Sequence, residues 1–316
     1  MGEGTPDPAV IDWLLDSDPA IRWQVLRDLT DAPADEVAAE RASLTDEGWA
    51  ANLLARQDSE GGWGGEPDAT SWTTSPEWFC LMSLQWLHEM GLNPASSVAR
   101  RATDLVRDHV IWHWWENRPF FDGEVEPCIN GRVLAIGAYF GQPSHGLVER
   151  LLAEQMDDGG WNCEQENGST RGSFDSTITV LEGLAEHEAR TGGSDEIRAA
   201  RRCRGEFLLE RRLLRRLSTG KLVDPAYSRL SFPTGYHYDV LRVLEHFRNV
   251  GASFEPRMAE ALEVVRSKRH GDGRWLLETR HRDRLELDGS EAEGEPSRWV
   301  TLVALRVLRW AEGGER

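Results

Sequence analysis

The residues best suited to chemistry in this chain of 316 residues are two cysteines and a histidine. Cys128 stands in "EPCINGR", Cys163 in "GGWNCEQ" and His237 in "TGYHYDV". Two thiolates and an imidazole are soft donors that suit a tetrahedral zinc ion. Three protein ligands leave one position for water or substrate, as catalytic zinc sites do. Glu126, Asp175 and Asp239 are the candidates for a fourth ligand or for a group supporting the others. The competing reading makes Cys128 and Cys163 ordinary buried cysteines, a common fate of that residue, and His237 a capping residue. Cys80 and Cys203 fall within helical patterns and read as packing.

What must position these residues is a repeat. "LLARQDSEGGWGG" begins at Leu53 and "LLAEQMDDGGWNC" at Leu151. Both read Leu, three residues, Gln, three residues, Gly, any residue, Trp. "VRSKRHGDGRWLL", from Val265, keeps the frame with Val for Leu and Arg269 for Gln. Each copy ends an amphipathic helix: Leu147, Val148, Leu151 and Leu152 lie at helical spacing before the second, and glycines stop it. A more apolar helix follows each loop, and after the first copy Ser75 is the expected N-cap with Pro76 at the first helical position. Trp161 therefore belongs to the repeat, whereas Cys163 does not, because Gly65 and Leu277 hold its place in the other copies.

Counting segments of the same class without the loop, apolar helices are expected to start near residues 18, 75, 127, 175, 237 and 297. Polar helices are expected near 8–16, 46–57, 97–112, 144–156, 196–217 and 256–269. A period of 50–60 residues fits a helix-pair repeat. Six pairs predict an all-α fold, an (α/α)6 toroid in a single domain spanning 1–316, with apolar helices inside and amphipathic ones outside. Closing the ring removes ends that an open solenoid would have to cap. In it Cys128, Cys163 and His237 occupy three consecutive positions around one mouth, where the N-termini of the inner helices converge. "WHWWENRPFF" (112–121) is expected to close a long helix, 217–233 to be an insertion and the acidic stretch 285–297 a flexible loop.

The glycine–tryptophan frame resembles the QW motif of squalene and terpenoid cyclases. The six helix pairs resemble the α/α toroid those enzymes share with protein prenyltransferase β-subunits and lanthipeptide cyclases. The resemblance implies a structural QW loop, with Gln57 and Gln155 capping neighbouring helix ends and Trp63, Trp161 and Trp275 stacked beside them. "EPC" resembles the Asp-x-Cys zinc pair of prenyltransferases with Glu for Asp. The two-cysteine, one-histidine set is similar to that of lanthipeptide cyclases, except that Glu164 stands where their histidine would be. Asp175-Ser176-Thr177 resembles the Asp-Cys-Thr of squalene-type cyclases, which implies that Asp175 protonates an alkene; a lone Asp at a helix start also reads as an N-cap. Asp18-Pro19 in "DSD" reads better as cap and first helical residue than as a diphosphate-binding pair. Arg132 and Tyr238 join Asp175 as catalytic candidates at the mouth. Arg22, Trp23, Asn130, Tyr236, Arg298 and Trp299 are the substrate-binding candidates: arginines to hold an anion, aromatics to guide an isoprenoid or stabilise a cation.

Composition bounds the function. The balance of 36 basic and 54 acidic residues, −18 overall, repels phosphates and anionic lipid heads, so nucleic acid is not an expected partner. No run approaches the roughly 18 apolar residues of a membrane span. "MGEGTPDPAVIDWLL" has no basic segment followed by an apolar run, so a cytoplasmic location with reduced thiols is expected. The expected function is that of a terpenoid-cyclase/prenyltransferase-like enzyme acting on a hydrophobic, isoprenoid-type small molecule in the toroid cavity, with zinc at its mouth. The alternatives are a zinc enzyme activating a thiol or water on another substrate, and a non-catalytic toroid binding a lipid or a partner.

Overall fold

The computed structural model describes residues 6–65, 71–192, 205–281 and 291–314. The chain is mostly helical, and its apolar helices begin where the pattern put them: α2 (Pro19–Leu29), α5 (Pro76–Glu89), α7 (Pro127–Tyr139), α9 (Phe174–Thr191), α11 (Val240–Asn249) and α13 (Arg298–Gly314). The amphipathic set is α1 (Pro8–Leu15), α4 (Gly48–Ala55), α6 (Ser97–His109), α8 (His145–Ala153), α10 (described over 205–210) and α12 (Ala259–Ser267). A further helix, α3 (Ala34–Ala42), was not expected; it buries no side chain and so leaves no periodic signal. Cys203, the helix expected near 196–217 as far as residue 204, and the acidic stretch as far as residue 290 lie outside the described residues.

The starts of these helices are chemically specified. Asp18, Ser75, Ser96, Ser144 and Ser173 each accept a backbone N–H at a helix start, and proline follows Asp18 and Ser75 at the first helical position. In α9 the cap is Ser173, so Asp175 stands inside the first turn and is not the N-cap.

The repeat loop is built by the tryptophan itself. The indole N–H of Trp63 donates to the carbonyl of Leu53 at 2.8 Å, that of Trp161 to Leu151 at 2.7 Å and that of Trp275 to Val265 at 2.7 Å. Each tryptophan thus bonds a carbonyl in the last turn of the helix it follows, where the regular helical bonds run out; the Leu53 and Val265 carbonyls also accept the N–H groups of Arg56 and Lys268. The glycine two residues earlier, Gly61, Gly159 or Gly273, has φ of +83°, +84° or +83°, a conformation that disfavours any side chain. Gln57 donates to the carbonyl of Ala102 at 2.9 Å, midway along α6, so it ties the loop to the side of that helix and does not cap its end; Gln155 bonds Gly159 within its own loop at 2.8 Å and caps no neighbouring helix among the described residues. Where Arg269 replaces the glutamine, its guanidinium lies over the Trp275 ring, 5.4 Å from the centroid.

Two compact units are formed. Of the described residues, the first comprises 6–49, 208–281 and 291–314, and the second 50–65, 71–192 and 205–207. In the first, α2 packs on α1, α3 and α13, and α11 packs on α12 and α13. Ile21, Val25, Leu244, Leu302 and Leu305 are wholly buried there. In the second, α7 is buried along its whole length and packs on α5, α8 and most closely on α9. The expected extension of α6 through the aromatic cluster does not form. Ile111–Trp112 pairs antiparallel with Arg118–Pro119, and Glu116 and Asn117 turn the chain at φ of +49° and +53°. Asn is among the residues that tolerate this turn conformation, and Pro119 could not donate within a helix.

Candidate metal centre

Cys128 is the second residue of α7 and Cys163 opens a short 3-10 turn, Cys163–Gln165, in the loop before α9. What brings them together is the seam between α7 and α9. Gly131 faces Gly183 so closely that a Cβ on Gly183 would stand 2.2 Å from the Gly131 carbonyl oxygen. On the Cys163 side, the Trp161 carbonyl accepts the Ser173 N–H at 2.7 Å and its N–H donates to the Thr177 hydroxyl at 3.0 Å. These bonds pin the loop to the first turn of α9. Ser176 completes the attachment, accepting the Cys163 N–H at 3.2 Å and lying 3.2 Å from its sulfur.

The two sulfurs lie 2.6 Å apart, and a carboxylate oxygen of Glu126 lies 3.4 Å from the Cys128 sulfur. All three donor atoms fall within 4.8 Å of one another. Cys128 is buried and Cys163 half-buried, so the cluster opens on the Cys163 side. The contact with Cys163, then burial and the negative charge of Glu126, push the Cys128 thiol well up. Burial first, with the negative charges of Asp58 and Glu77, pushes Cys80 up to about 12; at 0% exposure it is the packing residue expected.

The strand of chain carrying Glu126 is braced from three sides. Glu124 folds its carboxylate back onto the N–H groups of Val125 and Glu126 at 2.6 and 2.7 Å. The Asn130 amide accepts the Glu124 N–H at 2.8 Å and donates to its carbonyl at 3.0 Å. Arg150 of α8 donates to the carbonyls of Glu124 and Val125. Burial raises Glu124 to about 7, more than its two backbone donors and Arg150 lower it. Neither Glu124 nor Arg150 carried a signal of this brace in the sequence, because the bonds that hold the segment run to backbone atoms; Arg150 also pairs with Glu154 one turn on in α8.

The donor set can be compared with zinc. Zn–S of about 2.3 Å and Zn–O of about 2.0 Å at a tetrahedral angle place sulfur and oxygen about 3.5 Å apart and two sulfurs about 3.8 Å apart. The Cys128–Glu126 spacing of 3.4 Å meets that geometry. The sulfur pair, at 2.6 Å, must open by about 1 Å, a movement available to the half-buried Cys163 on its short turn.

The other candidates are distributed as follows. Arg132 is buried on α7, 3.3 Å from the Glu182 carboxylate of α9. Asn130, 0% exposed, is held by the Glu124 backbone. Asp175, half-buried in the first turn of α9, is also in the second unit, and the remainder are in the first. His237 stacks on His281, centroids 3.6 Å apart, and meets Tyr236 at a tilt of 32°; α11 is capped by Asp239, which spends both carboxylate oxygens on Ser231 and the Arg242 N–H. Tyr238 donates its hydroxyl to the Leu213 carbonyl at 2.5 Å. Arg22 pairs with Glu40 and Glu47, and Trp23 lies under the guanidinium groups of Arg27 and Arg41. Arg298 donates to the carbonyls of Trp13 and Asp16, while Trp299 stacks on Phe232 at 4.3 Å.

No family model matches the chain, and no curated protein does. Among solved structures it is similar to the apo type II terpene cyclase MstE from Scytonema, at 16% identity and a TM-score of 0.46 over 94% of this chain and 87% of that one. A variant of that cyclase in complex with geranylgeranyl dihydroxybenzoate gives 15% and 0.44, over 94% and 87%. A polysaccharide lyase gives 14% and 0.47, over 96% of this chain and 98% of its own.

Proposed function

We propose that the chain is a zinc-dependent enzyme whose metal is held by Cys128, Cys163 and Glu126. One observation carries this reading: two thiols and a carboxylate, delivered by the start of α7 and by a loop 35 residues after Cys128, place their donor atoms within 4.8 Å of one another. Zinc bound there supplies a Lewis acid that lowers the pKa of a bound thiol or water. The chain's own part is to fix the donors through the α7–α9 seam, to brace Glu126 with Glu124, Asn130 and Arg150, and to leave Cys163 accessible. The substrate we assign is a hydrophobic, isoprenoid-type molecule, on the strength of the QW-type repeats, with the six apolar helices as the inner wall of an α/α toroid. Asp175, in the first turn of α9, is the proposed proton donor.

The test is zinc content by elemental analysis of tag-free protein prepared without chelator. About one zinc per chain is expected, lost in Cys128→Ala and in Cys163→Ala and retained in Cys80→Ala. His237→Ala runs in parallel as the arm that reports on the histidine ligand expected from the sequence. Metal-free native protein that fails to take up added zinc overturns the metal reading. Asp175→Asn with undiminished turnover of an isoprenoid substrate overturns the proton-donor role alone.

A further inference from the structure

The first unit carries a basic concavity in a chain of net charge −18. Its volume is about 690 Å³, within the range of small-molecule sites, and Arg212, Arg215, Arg216 and Arg257 line it with Glu210 and Glu260. Four arginines against two glutamates leave +2.

The backbone places these arginines by a specific device. Helix α10 stops at Glu210, short of the helix expected to run to 217, because Arg212 and Leu213 both enter the left-handed region at φ of +47° and +64°. For residues other than glycine that costs on the order of 1–2 kcal/mol each. Burial of Leu213 and Leu214, and the Tyr238 hydroxyl on the Leu213 carbonyl, hold the turn in place. The chain then doubles back: Arg215 bridges Leu222, and the Arg216 N–H donates to the Lys221 carbonyl.

The charges are not equally committed. Arg215 pairs with Glu260 of α12 and also donates to the Gly220 carbonyl. Arg257 pairs with Glu255, and Glu210 lies 4.0 Å from Arg211. Arg212 and Arg216 have no carboxylate partner among the described residues; Arg216 is steadied by one bond to the Val223 carbonyl, at 2.8 Å. Beside them Leu217 is 60% exposed, and Pro256 and Ala259 add apolar wall. The patch is too small to track a polymer of phosphates, and the chain's remaining charge opposes one. A single compact dianion answers two uncommitted guanidinium groups, whose planar forks match phosphate oxygens.

We propose that this concavity is a binding site for a phosphate group, its guanidinium contacts coming from Arg212 and Arg216. The group belongs either to free phosphate or to a phosphate monoester whose organic part lies along Leu217, Pro256 and Ala259.

The test is calorimetric titration of the full chain with inorganic phosphate and, separately, with phenyl phosphate, at about 0.15 M salt, where weak surface attraction is screened. Saturable one-site binding is expected, weakened about tenfold or more in Arg212→Ala/Arg216→Ala. Both side chains are exposed, so the variant should keep its melting profile. Glu260→Gln must act in the opposite direction: freeing Arg215 raises the local charge and tightens phosphate by about three- to tenfold. A folding defect cannot produce that gain. Tighter binding of phenyl phosphate than of phosphate assigns the site to a monoester, and equal binding to the free ion. Absence of saturable binding, or equal binding by the native chain and the double variant, overturns the proposal.

Discussion

The contact between Gly131 and Gly183 sets up a substitution whose sign is diagnostic. A Cβ at 183 would lie 2.2 Å from the Gly131 carbonyl oxygen, and one at 131 would lie 2.7 Å from the Thr179 carbonyl oxygen. Tolerated contacts begin near 3.0 Å, so Gly183→Ala requires α7 and α9 to separate by at least 0.8 Å, the difference between 3.0 and 2.2. Both colliding groups are bound to backbone, so no rotamer change relieves them. Helix propensity favours alanine over an interior glycine by about 1 kcal/mol. Overpacking costs about 1–3 kcal/mol, and here it lies at the upper end because a whole buried helix must shift. The net expectation is a loss of about 1–2 kcal/mol, read from the urea midpoint or the melting temperature. Gly146→Ala is the control: it lies in α8 with nothing within 4 Å, and it should be neutral or slightly stabilising.

The same shift has a chemical consequence. Cys128 rides on the first turn of α7, while Cys163 is tied to α9 through Ser176 and Trp161. Separating the helices displaces one sulfur relative to the other and should weaken zinc by about tenfold or more in a chelator competition. A Gly183→Ala protein as stable as the parent, or more stable, refutes the close approach. A destabilised protein with unchanged zinc affinity refutes the claim that this seam positions the site.

Three further outcomes are expected. Trp161→Phe and Trp275→Phe should each cost about 2–4 kcal/mol, by removing the indole hydrogen bond to a last-turn carbonyl and opening a small cavity, in urea unfolding; a neutral result at both would remove the tryptophan from the capping role. In the first unit, Arg306 is 7% exposed and joins Asp28 of α2 at 3.1 Å to Glu245 of α11 at 2.6 Å, so Arg306→Leu should cost about 1–3 kcal/mol in urea unfolding by removing the cation the two carboxylates share, while Arg27 and Arg248 still pair with them. Burial raises the Asp28 pKa, but the Arg27 hydrogen bond and the charges of Arg306, Arg27 and Arg248 outweigh it, so the folded value lies below the usual 3.8. Its stabilisation is therefore complete above about pH 4 and is lost as the pH falls through the lowered value; Asp28→Asn should flatten that acid limb, and an unchanged limb would refute the coupling. Hydrogen peroxide should link Cys128 to Cys163 in metal-free protein, the thiols giving up two hydrogens as the peroxide becomes two waters. Non-reducing peptide mass mapping reads the bond, and zinc loading should suppress it; failure of the metal-free thiols to couple would refute their proximity.

Much of the fold was legible because its signals are local. Ser75, Asp18 and the proline after each announce helix starts, and the glycine–tryptophan frame marks where three amphipathic helices end. The same frame hid a role: sequence identified Trp161 as a repeat residue but could not show that its indole closes a helix ten residues back. Helix α3 escaped because a helix that buries nothing has no apolar period. The cluster at 112–121 misled because aromatic density resembles a buried helix, whereas Asn117 and Pro119 were the residues that specified a turn.

The candidate centre divides along the same line. Cysteine type and position were readable, and Glu126 was legible through its likeness to a ligand pair. What makes these residues a site was not readable, because it rests on two contacts between elements distant in sequence. One is a glycine on α9 admitting the backbone of α7. The other is Ser176, noted only as a substitute for cysteine, which holds the Cys163 loop by its N–H and lies against its sulfur. The repeat loop contributes the third support, since the Trp161 backbone joins the loop to Ser173 and Thr177 while its indole closes α8. Thr301 makes the same bond to Trp275 at 3.0 Å in the copy that has Leu277 in place of Cys163. The structural frame is therefore independent of the thiol. A shared scaffold with chemistry added at one copy predicts that Cys163→Leu folds with native stability and loses only the metal, whereas Thr177→Val loses stability first.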